Sequence, residues 1–228
     1  MEPTVEQLRH EASKTPVGKL QFAVFMWAFN QPSYDEWVSY VEEAVQFEVE
    51  LMAERRNDLH NLDEDALSAI LNIALQNLNM DASAKVVNGN TDITIQHTTY
   101  KWLGEAKFGN DVGKLYKGYL QLTARYSTGM PNQTAGGMLI YCNHDAANVA
   151  LAAWRAALET AIPASKPADG NGPLTFRSVG TSQSTGIRLD ILHMAVPLFH
   201  KPREDEKLPK EAIAAARQAR ADARAADT

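Results

Sequence analysis

The spacing of apolar residues changes near residue 80. Before that point large apolar side chains recur every three or four residues, as in Leu67, Leu71 and Leu78, which is the period of a helix face. After it Ile93 and Ile95 alternate with polar residues, which is the period of a strand. Helical spacing returns over 113–126 and 145–161. Helices that precede and then alternate with strands predict an α/β fold with helices flanking a central sheet.

The first eighty residues predict three helices. The run 20–29 is apolar on all sides, so we expect a helix buried on most of its surface, ended by Gln31-Pro32. Ser33 followed by Glu36 is a capping box, which satisfies two backbone donors at a helix start. A third helix is expected over 63–79.

The remaining pattern predicts several strands and a helical tail. The expected strands are 85–87, 91–96, 100–108, 138–142, 175–179 and 187–197. Asn88-Gly89-Asn90 has the composition of a tight hairpin turn between the first two strands. We therefore divide the chain into an N-terminal helical region (1–60), a core (61–200) and an alanine-rich, charged helical tail (201–228).

Composition restricts the class of protein. The 228 residues contain 28 acids and 22 bases, a net charge of −6, which argues against non-specific coating of nucleic acid through bulk charge. A single cysteine, Cys142, excludes an internal disulfide and a multi-cysteine zinc module. The start Met-Glu-Pro lacks the bases of a signal peptide, and crossing a bilayer takes roughly 20 apolar residues. We expect a soluble, cytoplasmic protein with no membrane association.

Charge is unevenly distributed along the chain. Residues 33–65 carry a local net charge of −9, whereas residues 101–126 carry +3. In the second segment Lys114, Lys117 (or Gly118), Gln121 and Arg125 recur at three- and four-residue steps, so they form one polar, mostly basic stripe on a helix. The stripe is either a solvated face or one border of a groove for a phosphate backbone, to which backbone amides at 111–114 would add.

Three charged residues on neighbouring predicted strands form the main candidate site. Asp92 lies on the first strand, and Glu105 and Lys107 share one face of the next because they are two residues apart. Taken alone, such a group is a cross-strand ion-pair cluster. Two carboxylates also provide the hard oxygen ligands that suit Mg²⁺ or Mn²⁺, and a neighbouring lysine can orient a water or stabilise charge on a phosphate.

These residues resemble a known family. Thr91-Asp92, a spacer of about a dozen residues and Glu105-Ala106-Lys107 are similar to the motif of the PD-(D/E)xK nuclease superfamily, with Thr91 in place of the usual proline. The expected order of helix, hairpin, Glu-x-Lys strand, helix and buried strand also resembles that family's core. The resemblance implies a restriction-endonuclease-like fold over roughly residues 63–143.

The resemblance also implies roles for individual residues. Asp92 and Glu105 would be metal ligands, together with the backbone carbonyl of Ala106, and Lys107 would position the nucleophile. Some branches of the family add a glutamate from the preceding helix, which Glu64 matches. Other branches place a glutamine, and often a tyrosine, on the following helix.

On that following helix Gln121 and Tyr126 occupy the region in question, and Gln121 is the one we assign to the catalytic site. The function implied is an Mg²⁺-dependent (or Mn²⁺-dependent) nuclease that hydrolyses phosphodiester bonds in DNA rather than RNA, a type that in bacteria serves restriction or anti-phage defence. The alternative is a non-catalytic interaction module on the same fold. Its N-terminal helices or C-terminal tail would bind another protein or a second copy of the chain.

Overall fold

The computed structural model describes residues 2–84, 91–126, 128–201 and 207–226. Within these ranges the α-helices are α1 (Val5–Ala12), α2 (Pro16–Met26), α3 (Tyr34–Glu54), α4 (Arg56–Leu59), α5 (Glu64–Asn77), α6 (Val112–Leu120), α7 (Ala147–Ala161) and α8 (Lys210–Ala226). A π-helical turn (Gln121–Tyr126) continues α6, and a 3-10 turn (Pro163–Ser165) follows α7. No helix in the described ranges has the length and apolarity needed to span a bilayer.

Seven described strands form one mixed sheet in the order β1-β2-β3-β4-β7-β6-β5. The strands are β1 (Asp81–Ser83), β2 (Ile93–His97), β3 (Tyr100–Phe108), β4 (Ala135–Cys142), β5 (Ala168–Asp169), β6 (Thr175–Thr181) and β7 (Arg188–Pro197). The three central strands β3, β4 and β7 run parallel, whereas the outer pairs are antiparallel. Parallel central strands need cover on both faces, and the helices provide it.

Helices pack on both faces of the sheet. On one face α3 and α5 bury Trp37 and Leu71 against Trp102 of β3. On the other face α6 and α7 bury Leu115 and Trp154. The predicted α/β architecture with a mixed, helix-flanked sheet is confirmed, and α3 of the N-terminal region shares its apolar core with the sheet.

The capping box predicted at the start of the helix after Gln31-Pro32 is confirmed. Ser33 and Glu36 form the expected capping box of α3, and Asp63 caps α5 by accepting a hydrogen bond from the Ala66 amide. The expectation that 20–29 is buried on most sides is wrong, because Phe25 and Phe29 are 60% and 73% exposed. An apolar run identifies a helix without showing how many of its faces are covered.

The strand predictions differ in accuracy along the chain. β3 has the predicted bounds, and β4 and β7 contain or closely match the predicted segments. The predicted strand 85–87 and hairpin turn 88–90 lie outside the described residues. The described strand that precedes this segment and pairs with β2 is β1, at 81–83. The segment 113–126 is helical as predicted, and within it α6 changes to the π-helical turn after Leu120.

Candidate functional site

Three carboxylates from three different elements meet the ammonium group of Lys107. Lys107 Nζ lies 2.8 Å from Glu105 Oε1, 3.5 Å from Asp92 Oδ2 and 3.8 Å from Glu64 Oε1. Glu64 is the first residue of α5, Asp92 directly precedes β2, and Glu105 and Lys107 are on β3. The structure therefore brings together the four charged residues predicted for the site.

The unequal lengths of β2 and β3 position two of these carboxylates. The pairing between the strands begins at Ile93 opposite Gly104, so β3 continues for four residues beyond it. On this extension the Ala106 amide donates to Asp92 Oδ2 at 2.7 Å, and the Phe108 amide donates to Glu64 Oε2 at 2.7 Å. Backbone donors that lack a strand partner thus hold both side chains at the end of the sheet.

Lys107 is held among these anions by several contacts. Its Nζ also donates to the carbonyl oxygen of Ala106 at 2.7 Å, and only 18% of its side chain is exposed. Burial lowers the pKa of Lys107 and is the largest single influence. The hydrogen bond to Glu105 and the negative charges around it outweigh burial, so the pKa lies above its ordinary value and the ammonium is charged.

Glu105 is the most deeply buried member of the cluster. It is 2% exposed, and its Oε2 has no hydrogen-bond partner among the described residues. Burial, and next the charge of Asp92, raise the pKa of Glu105 to about 7 against the opposing effect of Lys107. A buried carboxylate oxygen without a donor is costly, and a raised pKa at such a place is typical of a functional group.

Gly118 of α6 lets the helix approach the cluster closely. A Cβ atom at this position would lie 3.1 Å from Lys107 Cγ and 3.2 Å from Glu105 Cγ. The helical spacing places Gly118 only as an optional member of the polar stripe and does not indicate this packing role. The available signal was a glycine in the interior of a helix, which costs about 1 kcal/mol relative to alanine and therefore often has a packing reason.

A groove of about 460 Å³ opens beside the cluster. It is lined by Lys107, Lys114, Lys117, Leu120 and Gln121. The predicted basic stripe therefore borders the candidate site, and Gln121 lies in the same groove as Lys107. The side chains of Arg125 and Tyr126, which were also predicted for this region, lie outside the described part of the structure.

The start of α6 does not offer the amides that were expected to bind phosphate. Asp111 caps this helix, and its Oδ1 accepts hydrogen bonds from the amides of Gly113 at 2.8 Å and Lys114 at 3.2 Å. That part of the sequence prediction is wrong, because the carboxylate already satisfies these donors. The positive charge that borders the groove is on lysine side chains.

A slightly larger cleft, of about 490 Å³, lies between α3 and the strands β4, β6 and β7. It shares no lining residue with the groove or the carboxylate cluster. Its charged residues are mostly acidic, and Arg177 is already ion-paired with Glu42. This charge does not suit a phosphate ligand, so the smaller groove is the stronger candidate.

The donor chemistry of the cluster fits a hard divalent cation. No group of three or more His, Cys, Asp or Glu side chains in the described ranges is arranged to hold a metal as it stands, because the carboxylates surround the Lys107 ammonium. The donors are nonetheless all oxygens, namely three carboxylates and the Ala106 carbonyl. The unpartnered Glu105 Oε2 supplies a ligand atom that no protein donor uses.

Comparison with known proteins gives no relative from which a function could be inferred. The arrangement of these side chains is therefore the basis for inferring one. A scan against protein-family models, a search of curated proteins and a search of solved structures each found no match to this chain.

Proposed function

We propose that this protein is a metal-dependent nuclease of restriction-endonuclease-like architecture that hydrolyses phosphodiester bonds in DNA. One observation carries the proposal: Lys107 Nζ lies within 4 Å of carboxylates from α5, the start of β2 and β3. The order of helix, strand pair, Glu-x-Lys strand, helix and buried strand in α5 to β4 supports the same architecture.

The chain's own residues suit this reaction. Asp92, Glu105, Glu64 and the Ala106 carbonyl would hold Mg²⁺ or Mn²⁺. A bound divalent ion supplies positive charge for the phosphoryl oxygens and lowers the pKa of a coordinated water. Lys107 places its ammonium beside the carboxylates, where it can orient the attacking water and stabilise charge on the phosphate.

The groove would hold the sugar-phosphate chain. Lys114 and Lys117 line it beside Lys107, so three cations border the path along which a phosphate would reach the carboxylates. Gln121 lines the same groove, and its amide can hydrogen-bond a phosphate or a water. Phosphate contacts of this kind position a nucleic acid without reading its sequence.

The test is cleavage of plasmid and linear duplex DNA in Mg²⁺ or Mn²⁺. We expect Asp92→Asn, Glu105→Gln and Lys107→Met each to lower the cleavage rate by about 100-fold or more. Glu50→Gln, which removes an exposed carboxylate on α3, is the matched control and should cleave like the wild type. Undiminished cleavage in the three site variants, with intact folding by circular dichroism, would contradict the proposal.

The second candidate is a non-catalytic interaction module. It is favoured by Phe25 and Phe29, at the end of α2 and in the turn after it, whose rings lie 5.3 Å apart and are largely exposed, because exposed aromatic patches mark interaction surfaces. Titration with Mn²⁺ separates the two candidates. The nuclease should show a rise in melting temperature that Glu105→Gln abolishes, whereas the interaction module should show no rise in either protein.

A further inference from the structure

The C-terminal helix α8 has its basic residues on one face. Nine of its 17 residues are alanine, and its charged residues are Lys210, Glu211, Arg217, Arg220, Asp222 and Arg224. At 100° per residue, the four basic positions fall within an arc of about 80°. The two acids lie about 100° or more from that arc. This segregation goes beyond the sequence prediction, which treated the tail only as alanine and charge.

Nothing in the described part of the chain neutralises this face. Every α8 side chain whose exposure is described is exposed to solvent. Within residues 207–226 and the other described ranges, Lys210, Arg217 and Arg220 form no ion pair, and Asp222 accepts a hydrogen bond from Gln218 instead. Lys210, Arg217 and Arg220 therefore present positive charge to solvent along one side of the helix, with no ion pair in the described part of the chain.

We propose that the basic face of α8, defined by Lys210, Arg217 and Arg220, binds the phosphate backbone of the nucleic acid that the groove presents to the carboxylate cluster. This inference rests on the proposed function. The stretch from Lys210 to Arg220 is about 15 Å long at 1.5 Å per residue. One strand of duplex DNA carries about four phosphates over that length, at 3.4 Å each.

Two other anionic partners fit less well. A membrane-surface helix needs an apolar face to enter the lipid, and Lys210–Ala226 contains only one large apolar residue, Ile213, which lies within the basic arc. An acidic protein surface, such as α3 of a second copy, is partly compensated already. Glu42 pairs with Arg177, and Glu43 pairs with Lys19.

The experiment measures binding of a fluorescein-labelled 24-base-pair duplex by anisotropy, without divalent metal so that no cleavage occurs, at several salt concentrations. The test variant is Lys210→Ala/Arg217→Ala/Arg220→Ala, in which alanine preserves helix propensity. The matched control is Arg9→Ala/Lys14→Ala/Lys166→Ala, which removes the same charge from exposed positions elsewhere. Arg217→Lys/Arg220→Lys retains the charge of the face and serves as the rescue variant.

We expect the Kd of the test variant to rise about tenfold. Its slope of log K against log salt should become shallower by about 2 to 3, since each lost phosphate contact removes about 0.9. The control should change Kd less than about twofold, and the rescue variant should bind like the wild type. Equal changes of affinity and slope in the test and control variants would overturn the inference.

The alternatives give different outcomes. The inference is wrong if the α8 substitutions leave duplex binding unchanged but abolish binding to phosphatidylserine vesicles. It is also wrong if they leave duplex binding unchanged but abolish salt-sensitive self-association, measured by size-exclusion chromatography. Failure of the nuclease proposal is separate. Loss of duplex affinity in the α8 variant, from a protein that cleaves nothing, would support DNA binding by the basic face of α8 and contradict only the catalytic site. Unchanged duplex affinity in the α8 variant of a protein that cleaves DNA would support the catalytic site and contradict only the inference about α8.

Discussion

Glu105 and His193 occupy the same row and face of the sheet, and their surroundings differ. Glu105 on β3 is paired with Met138 on β4, which is paired in turn with His193 on β7. The two polar residues are therefore separated by two strand spacings, about 10 Å. Both are almost fully buried, at 2% and 0% exposure, so burial alone does not distinguish them.

His193 has a partner for each ring nitrogen. Its Nδ1 accepts a hydrogen bond from Trp154 Nε1 at 3.0 Å, and its Nε2 lies 2.7 Å from Ser178 Oγ. The ring stacks on Phe176 with centroids 4.1 Å apart. Burial lowers the pKa of His193 to about 3, so the residue is neutral and its polar groups are satisfied inside the core.

Glu105 differs because its hydrogen bonding is incomplete. One oxygen contacts Lys107, and the other has no partner among the described residues. Its neighbour Lys107 lines the groove, whereas the partners of His193 are buried side chains. A buried polar group with complete partners stabilises the fold, whereas an incomplete one beside a groove is a candidate for ligand binding.

The largest effect on stability is expected at His193, whose hydrogen bonding is complete. His193→Leu leaves the Trp154 indole N–H buried without its partner and removes the ring nitrogen that Ser178 Oγ contacts, and each loss costs about 1 to 3 kcal/mol. We expect the free energy of unfolding in urea to fall by about 3 kcal/mol. A double-mutant cycle with Ser178→Ala should show coupling, and additive losses in that cycle would contradict the network.

The two sites should give opposite dependences of stability on pH in the metal-free protein. The folded-state pKa of Glu105 is raised from 4.5 to about 7, so the folded state binds the extra proton and stability falls as pH rises through that window. The folded-state pKa of His193 is lowered from 6.5 to about 3, so stability is lost as pH falls through that window. At about 1.4 kcal/mol per pKa unit, the shift of Glu105 is worth about 3 kcal/mol and that of His193 about 5 kcal/mol.

These contributions can be separated by subtracting the pH profile of a variant from that of the wild type. The difference for Glu105→Gln should change between pH 4.5 and about 7, and the difference for His193→Leu should change with the opposite sign between about 3 and 6.5. Chemical denaturation at half-unit pH intervals gives both profiles. Flat difference profiles would show that neither group titrates differently in the folded and unfolded states.

At pH 8 a smaller effect should distinguish two buried glutamates. Glu105→Gln removes a charge that burial disfavours while its amide oxygen can still accept from Lys107, so we expect the free energy of unfolding to rise by about 1 kcal/mol. Glu42→Gln is the matched control, because Glu42 is also buried but is ion-paired with Arg177. It should lower stability, since Arg177 loses its charged partner. Destabilisation by both substitutions would argue that Glu105 is as well paired as Glu42.

The sequence predicted the residues of the site better than their surroundings. The period-two pattern gave the bounds of β3, and the two-residue step placed Glu105 and Lys107 on one face. The contacts of His193 could not be predicted, because Trp154 and Ser178 are 39 and 15 residues away in the chain and meet it only in the folded sheet. The exposure of Phe25 was missed for a related reason, since composition does not show which helix faces find a partner.

The smallest effect on stability is expected at Gly118 of α6, which lies close to both Glu105 and its strand partner Met138. Alanine there gains about 1 kcal/mol of helix propensity, but its Cβ would lie 3.1 to 3.2 Å from Lys107 Cγ, Met138 Cε and Glu105 Cγ. These atoms can each move by a few tenths of an ångström, so we expect the free energy of unfolding to change by less than about 1 kcal/mol.

Cleavage should nonetheless fall by about tenfold or more in Gly118→Ala, because the displaced groups are the proposed metal ligand Glu105 and the proposed positioning residue Lys107. Gly113→Ala on the same helix is the control, since among the described residues its Cβ would approach only Asp111 Oδ1 closely. It should cleave like the wild type. Equal cleavage by both variants would show that the catalytic geometry tolerates such a shift, and that the close approach of α6 serves packing alone.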